Sequence, residues 1–557
     1  LRQRQEVQAV LRQERVKRLD QHQVGRLADL SLRCLLPACT GLLLALALPP
    51  FQHVELAWAG LIPLMVATAG CERGEAFRRG YLAGFVFFGM TVWWTCHVTI
   101  PGMVGLVAFL ALYFGLAGMW FALLMRRWDP PKDSALKHIG ISIAMTAGWV
   151  TLEWVRGWFL FGGFGWNMIG VTQWRTIPVI QFASVTGVYG VSALVVLVNA
   201  TLFFTGRRFV RQVRDRQVAR RLSWEFYLGV ILFAVAFVGG LRVMMSQEQA
   251  YRNGSARSLR LAAVQGNIPQ SLKMVREAEA PHVLATYRRW TETTFPAKPE
   301  LIIWPETATP GYLRFDEDCY ALVTNLAATS GAYLLTGSMD AQFNGENARA
   351  DYNAALMIRS DGSLAGLYRK IHLVPFGEYV PVRNVLPFLK WLTPIGESLE
   401  RGRELTHFQV ARLDPASDTF KQATFGVVIC FEDTVPELYR RFVSPDVDFM
   451  VNITNDGWFQ ESPAAMLHLA NAVFRAVETR RSLVRVTNSG MTCVVDATGR
   501  VVTKLPAFMP GCMTFELRMT DDRGTTFYVK HGNVFAWSCA GLTIMLVFAL
   551  SGKRLNG

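Results

Sequence analysis

Seven apolar runs crowd the first 250 positions and an eighth closes the chain, near residues 32–50, 56–70, 81–100, 103–125, 139–156, 177–205, 226–243 and 533–551. A helix needs roughly 17 to 25 mainly apolar residues to cross a bilayer. Runs of this length and number leave little alternative to a multi-pass α-helical membrane unit of about eight spans. The second run is short and would tilt, or extend through "FQHVELAW".

The connections alternate in charge. Lys and Arg gather in the first thirty residues, at Arg73, Arg78 and Arg79, in "RRWDPPKDSALKH", in "GRRFVRQVRDRQVARRL", and at Lys553 and Arg554. Connections near 50–55, 100–102 and 157–176 are nearly free of them. By the positive-inside rule both termini are expected in the cytoplasm, with the long segment between spans seven and eight on the far side of the membrane. The net charge of +14 fits that layout: residues 251–530 carry 30 Lys and Arg against 30 Asp and Glu, so the excess lies wholly outside them. A basic excess tied to membrane loops gives no reason to expect a nucleic-acid partner. Residues 1–30 are basic, Gln-rich and without the apolar core of a signal peptide, and read as a cytoplasmic arm. The expected division is 1–30 arm, 31–245 membrane unit of seven spans, 256–525 extramembrane domain and 533–551 last span.

Charged residues inside spans are usually paired or face a polar cavity. Glu153 and Arg156, three apart on one helix face, suggest an interfacial ion pair, or else a seat for a lipid headgroup. His97 reads as a satisfied core histidine, and the aromatics of "FVFFGMTVWWTCH" and "WFLFGGFGWNMIG" as packing and interfacial residues.

From about residue 256 short β-rich runs alternate with helical ones. "LRLAAVQG", "LIIWPE", "AYLLTGSMD", "NAALMIRSDG", "GLYRKIHL", "FGVVICFE", "DFMVNITND" and "LVRVTNSG" are strands, with helices near 277–295, 316–330 and 463–480. The pattern predicts an α/β domain of two sheets between helices. Nine cysteines show no CxxC pair and no Cys/His cluster at zinc spacing, so no metal or other cofactor is expected.

Three strand ends carry reactive groups: Glu306 after "LIIWP", Lys370 in "YRKIHLVPFGEYVP", and Cys430 after "GVVI". A carboxylate, an ammonium and a thiol suffice for acyl transfer, since one takes the thiol proton, one attacks a carbonyl and one meets the charge on oxygen. Each alone is more often a solvated strand terminus or a core cysteine.

Taken together, "WPET", "YRKIHLVPFGEY" and "CFED" resemble the nitrilase superfamily, whose Glu–Lys–Cys set sits on an αββα sandwich. With "VQGNIPQSLK", "LVPFGEYVP", "NDGWF" and the flanking spans, the chain is similar to the apolipoprotein N-acyltransferases of the bacterial inner membrane. The resemblance implies a periplasmic catalytic domain and a ping-pong reaction. Glu306 would be the base, Cys430 the nucleophile on the sn-1 ester of a phospholipid, typically phosphatidylethanolamine, and Lys370 the oxyanion partner. The thioester would then acylate the α-amino group of a diacylglyceryl cysteine on an apolipoprotein, the last step of lipoprotein maturation. Glu378 matches a family carboxylate beside the triad, and Glu432 and Phe431 are expected to support it or line the substrate. The chain departs from the family pattern at Met274 and Phe431, where aromatics and often tyrosine are the rule. Asn455, Asp456 and Trp458 read as loop-shaping, and "VLPFLKWLTPIG", 385–396, as a lid dipping into the outer leaflet. The competing readings are a membrane-tethered amidase using the same three residues, and a transporter or scaffold with an inert domain.

Overall fold

The computed structural model describes residues 31–128, 134–215, 223–253, 257–274, 276–343, 349–381, 398–414, 419–519 and 524–552. The basic arm, the 385–396 lid and the side chain of Met274 lie outside the described residues.

The apolar half forms helices Leu36–Leu46, Ile62–Thr68, Arg73–Thr91, Ile100–Trp128, Ala135–Arg156, Val188–Arg214 and Trp224–Asn253, joined by Val534–Gly552 from the chain's far end. Among the described residues five are long and apolar enough to cross a membrane: Ile100–Trp128, Ala135–Arg156, Val188–Arg214 and the helices starting at Trp224 and Val534. In place of the expected eight spans stand these five, several shorter helices, and the 19-residue Arg73–Thr91, which is long enough but too charged at its start. Proline accounts for much of the difference, because it cannot continue a helix from within. Pro49 and Pro50 follow the first helix, and Pro63 opens the Ile62–Thr68 helix. The third run starts early, so that Arg73, Glu75, Arg78 and Arg79 occupy its opening turns. The run 177–205 begins with two four-residue helices and turns at Gly187, φ +67°, before its long helix. Side-chain-free contact at Gly80, against the backbone of Phe114, lets two helices approach closely.

Two readings inside the spans need correction. Among the described residues no ion pair joins Glu153 to Arg156. Glu153 Oε1 instead accepts the Ile169 N–H at 2.7 Å, and the Arg156 guanidinium lies 5.2 Å from the Phe88 ring centroid. Both are buried, and satisfying a backbone donor at a chain reversal outcompetes the three-residue spacing. His97 is exposed rather than core, because the helix has already ended at Thr91 and a 3-10 turn carries it outward.

The remaining chain forms two six-stranded sheets, ordered β12-β1-β2-β3-β4-β5 and β11-β10-β9-β8-β7-β6. The strands are β1 Arg257–Gln265, β2 Leu301–Ile303, β3 Tyr333–Phe343, β4 Arg349–Ile358, β5 Leu364–Arg369, β6 His407–Asp414, β7 Thr419–Ile429, β8 Phe449–Thr454, β9 Ser482–Thr487, β10 Cys493–Val495, β11 Val501–Lys504 and β12 Gly511–Met519. Alternation along β1 shows why its apolar run is nearly continuous. Leu259, Leu261 and Ala263 join the core shared with β7 and β9, whereas Ala262 and Val264 pack with Tyr287 and Val323 of two covering helices. A strand covered on both faces has no polar side. Both sheets therefore lie between helices, the layering of the nitrilase sandwich.

The two halves interlock. Glu478, near the end of helix Ala464–Thr479, accepts the Val188 N–H at 2.8 Å and so caps the membrane helix that begins there. A carboxylate at a helix N-terminus satisfies an orphan donor and the helix dipole together. Arg475 holds the same oxygen at 2.8 Å. Nearby, Arg480 donates to Gln181 Oε1 and to the Gln181 carbonyl, and Gln181 Nε2 donates to the Thr498 carbonyl.

Candidate active site

Strand direction gathers the reactive groups. β1, β2 and β3 are parallel, β4 reverses and β5 reverses again, so β2 and β5 end at the same edge of the first sheet. Glu306 leaves that edge three residues after β2, and Lys370 directly after β5. Cys430 follows Ile429, the last residue of β7 in the second sheet. The chain behind Glu306 runs tight against β3: a Cβ on Gly337 would lie 2.5 Å from the Pro305 oxygen and 2.6 Å from Glu306 Cα.

Lys370 is fully buried, with Nζ 2.9 Å from Glu378 Oε1 and 3.5 Å from Glu306 Oε1. Asn353 on β4 donates from Nδ2 to both of these oxygens, at 2.7 Å to Glu306 and 2.9 Å to Glu378. Its carbonyl accepts the Lys370 N–H at 2.8 Å, so one residue sets both the register of the lysine and the aim of the two carboxylates. Glu378 Oε2 accepts the Val374 N–H at 2.9 Å, which closes the loop that carries it. Burial acts to lower the Lys370 pKa, but Glu378 and Glu306 outweigh it and hold the pKa above the usual lysine range. The ammonium is therefore fixed as a cation.

Cys430 sits at φ +53°, a left-handed conformation rarely adopted by residues with a side chain. Its thiol is coupled to both charges of the opposite sheet. Burial and the Glu306 carboxylate push its pKa well above the ordinary value, while Lys370 and the Thr454 hydroxyl draw it down. The resting group is thus a neutral thiol. Only the thiolate alkylates, so iodoacetamide labelling of Cys430 should be slow near pH 7 and still rising beyond about pH 9. A time course by intact mass measures this, and a plateau near neutrality would contradict a raised thiol. Lys370→Met should slow the labelling further, since it removes a charge that favours the thiolate.

Glu432, two residues on, is buried and braces the two sheets together. Its Oε1 accepts the N–H groups of Ile371 and His372 at 2.8 and 2.9 Å, and its Oε2 accepts the Ile429 N–H at 2.8 Å. Tyr368 Oη donates to both oxygens. One side chain thereby ties the chain after Lys370 to the chain before Cys430. Phe431 is half-buried between two rings, with His372 at 5.7 Å and Trp166 at 6.3 Å, both nearly parallel to it. Burial, Arg401 and Lys370 push the His372 pKa down to about 4, which leaves a neutral imidazole for that stack. Trp166 belongs to the connection after helix Ala135–Arg156, and Tyr379 Oη donates to the Phe161 carbonyl of the same connection at 3.1 Å. The membrane half thus forms one wall of the site.

Asn455 accepts from Gly457 N and donates to Gln270, consistent with loop shaping, and Trp458 is exposed. Asp456 is different: it is buried within a charge cluster with His468, Arg485 and Asp433. Asn353, Tyr368, Asn452 and Trp166 were not singled out in the sequence. Each lies within a strand-like or aromatic run that reads as structural, and its partners are far away in sequence. Among the described residues no group of three or more His, Cys, Asp or Glu is arranged to hold a metal ion.

Residues 40–201 match the model for the apolipoprotein N-acyltransferase N-terminal domain, and residues 260–523 match that for carbon–nitrogen hydrolases. An apolipoprotein N-acyltransferase of Geobacter metallireducens is 34% identical over 94% of this chain and 96% of its own length. The corresponding proteins of Chlorobaculum tepidum and Pseudomonas aeruginosa are 27% and 28% identical, over 93% and 94% of this chain and 96% of each. Among solved structures, the Saccharomyces cerevisiae nitrilase-superfamily protein Nit3 aligns with TM-score 0.33 at 18% identity, over 47% of this chain and 90% of its own.

Proposed function

The chain belongs to the apolipoprotein N-acyltransferase family, and from that premise we propose that it moves an acyl chain through Cys430 from a membrane phospholipid to the amine of a lipoprotein. It is an acyltransferase with a carbon–nitrogen hydrolase domain, acting in the final step of lipoprotein maturation. The reading rests above all on one observation: a buried lysine paired with Glu306 and Glu378, on a chain that Glu432 ties to the strand end carrying Cys430.

In the first half-reaction Glu306 takes the Cys430 proton and the thiolate attacks the sn-1 ester carbonyl. Lys370 meets the negative charge on the tetrahedral oxygen. Collapse expels the lysophospholipid alkoxide, which takes the proton from Glu306 and leaves a thioester. In the second half-reaction the neutral α-amine of the diacylglyceryl cysteine attacks that thioester. Glu306 receives the amine proton and returns it to the departing sulfur. Both halves use the same three groups, so no further proton carrier is needed. Phosphatidylethanolamine is the proposed donor. Phe431, between His372 and Trp166, would line the path of the lipid.

The catalytic unit, residues 256–525, would lie in the periplasm of an inner-membrane protein with both termini cytoplasmic. The charge-poor connection 157–176 supports that side, because it meets the site directly through Trp166 and Phe161.

Intact mass after incubation with phospholipid tests the route. The wild type is expected to gain one fatty-acyl increment, lost on adding a diacylglyceryl-cysteine peptide, whereas Cys430→Ala gains none. An increment that persists in Cys430→Ala, or a wild type that only hydrolyses small amides, would exclude it.

A further inference from the structure

Beneath the Cys430 turn lies a ring of four buried charged side chains, separate from Glu306 and Lys370. His468, on helix Ala464–Thr479, meets Asp433 Oδ1 through Nε2 at 2.7 Å and Asp456 Oδ1 through Nδ1 at 2.8 Å. Arg485, on β9, donates from Nη1 to Asp433 Oδ2 at 2.7 Å and from Nη2 to Asp456 Oδ2 at 3.2 Å. Each aspartate bridges the same two cations, so the circuit closes. It also reaches the nucleophile by two routes. Asp433 is part of the 3-10 turn that begins at Cys430. Arg485 Nη1 holds Asn452 Oδ1 at 2.9 Å, and Asn452 Nδ2 donates to the Cys430 carbonyl at 3.1 Å.

Carboxylate oxygens accept hydrogen bonds and do not donate them. Both imidazole nitrogens face such oxygens, so the ring closes only when both carry protons. Charge count gives the same answer. Two aspartates and one arginine leave a net negative charge in a buried site, and a protonated His468 cancels it. The groups facing the imidazole are Asp433, Asp456 and Arg485 from three separate elements, with the Trp166 ring 5.1 Å away from the membrane half. Burial and Arg485 act to remove the proton, but Asp433 and Asp456 outweigh them and His468 titrates above its ordinary range.

We infer that His468 is a positioning residue for the nucleophile: as a cation clamped between Asp433 and Asp456, it fixes the turn and the Cys430 carbonyl in the left-handed geometry from which the thiol reacts. A residue held at an unfavourable φ persists only where its surroundings over-determine it, and this ring grips Cys430 through Asn452 and through the turn that carries Asp433. The inference rests on the reading of Cys430 as the acylated residue.

The test times acyl-enzyme formation on full-length protein in phospholipid-containing micelles, with amine transfer measured separately. In His468→Gln the amide can donate to only one aspartate and sets its oxygen against the other. Acylation should slow by roughly 10- to 100-fold through misplacement of the turn, with the KM for phospholipid unchanged. Adding Asp456→Asn removes the excess negative charge and gives the glutamine oxygen an amide donor. The double variant should return to within about threefold of wild type, a rescue that a space-filling role would not produce. His468→Gln acylating within about twofold of wild type, or a double variant no faster than the single one, overturns the inference. Should His468→Gln fail to fold, 15N spectra of histidine-labelled wild type decide, since a neutral His468 imidazole near neutral pH overturns it equally. An acyl adduct that survives Cys430→Ala overturns the reading of Cys430 itself, and this inference with it.

Discussion

Lys370→Met should slow formation of the acyl-enzyme by about 10³-fold, the loss expected when a pre-placed oxyanion partner is removed from a dry site. Methionine fills similar space without charge, so the effect is electrostatic rather than a cavity. Two losses combine. The tetrahedral oxygen loses its cation, and the Glu306 and Glu378 carboxylates, which still share Asn353 Nδ2, lose the ammonium between them. Two like charges sharing a site raise one pKa strongly. A proton captured by Glu306 disables the base as well. The residual rate should therefore climb with pH more steeply than in wild type, as that extra proton is lost. Pulse acylation followed by intact mass measures both effects, and a rate within about tenfold of wild type would show that Lys370 is not the oxyanion partner.

Glu432→Gln should be nearly as damaging although Glu432 touches no reacting atom. Each carboxylate oxygen accepts a backbone N–H, from Ile371 and His372 on one side and from Ile429 on the other. An amide nitrogen cannot accept, so either orientation of glutamine drives an N–H against an NH₂. Leaving buried donors unsatisfied costs about 1–3 kcal/mol each, and the freed chain on either side carries Lys370 and Cys430. A stability loss of about 3 kcal/mol and a fall in kcat of about 100-fold are expected, read by thermal melting and by turnover. The pH dependence has a definite sign. Burial raises the folded-state pKa of Glu432 to about 7, against the pull of its backbone donors. A carboxyl raised in this way stabilises the fold fully below its unfolded pKa, and that contribution is lost as pH rises through about 7. Glu432→Gln should flatten that part of the stability profile. An unchanged slope would mean that another group supplies it.

The strands and the three reactive side chains were legible because each apolar run stops abruptly at a polar residue, and a run covered on both faces leaves its chemistry at its ends. Glu306, Lys370 and Cys430 all follow that rule. What lay beyond reach were partners brought together by topology alone. Asn353 looks like any polar residue on a strand until β4 places it opposite Lys370. His468 and Arg485 sit in apolar helical and strand sequence, with aspartates on two other elements. Hydropathy also measures how oily a stretch is, not where its helix breaks. Pro49 and Pro50 therefore follow a first helix of only 11 residues, and Gly187 splits its run into two four-residue helices and one full-length one. The spacing of Glu153 and Arg156 pointed to a pair, yet the strongest local demand was the orphan N–H of Ile169.

Glu478 on the first N–H of a membrane helix has a consequence for where the chemistry occurs. A domain hung on a loose tether would sweep through a range of heights above the lipid surface and meet ester groups by chance. Bolted to the helix at Val188, and gripping Gln181 through Arg480, the domain that carries the thiol is held at one height relative to that helix. On the reading of Cys430 as the acylated residue, a donor has to bring its ester to that one level, so the depth at which a lipid carries its ester would select it before any headgroup is read.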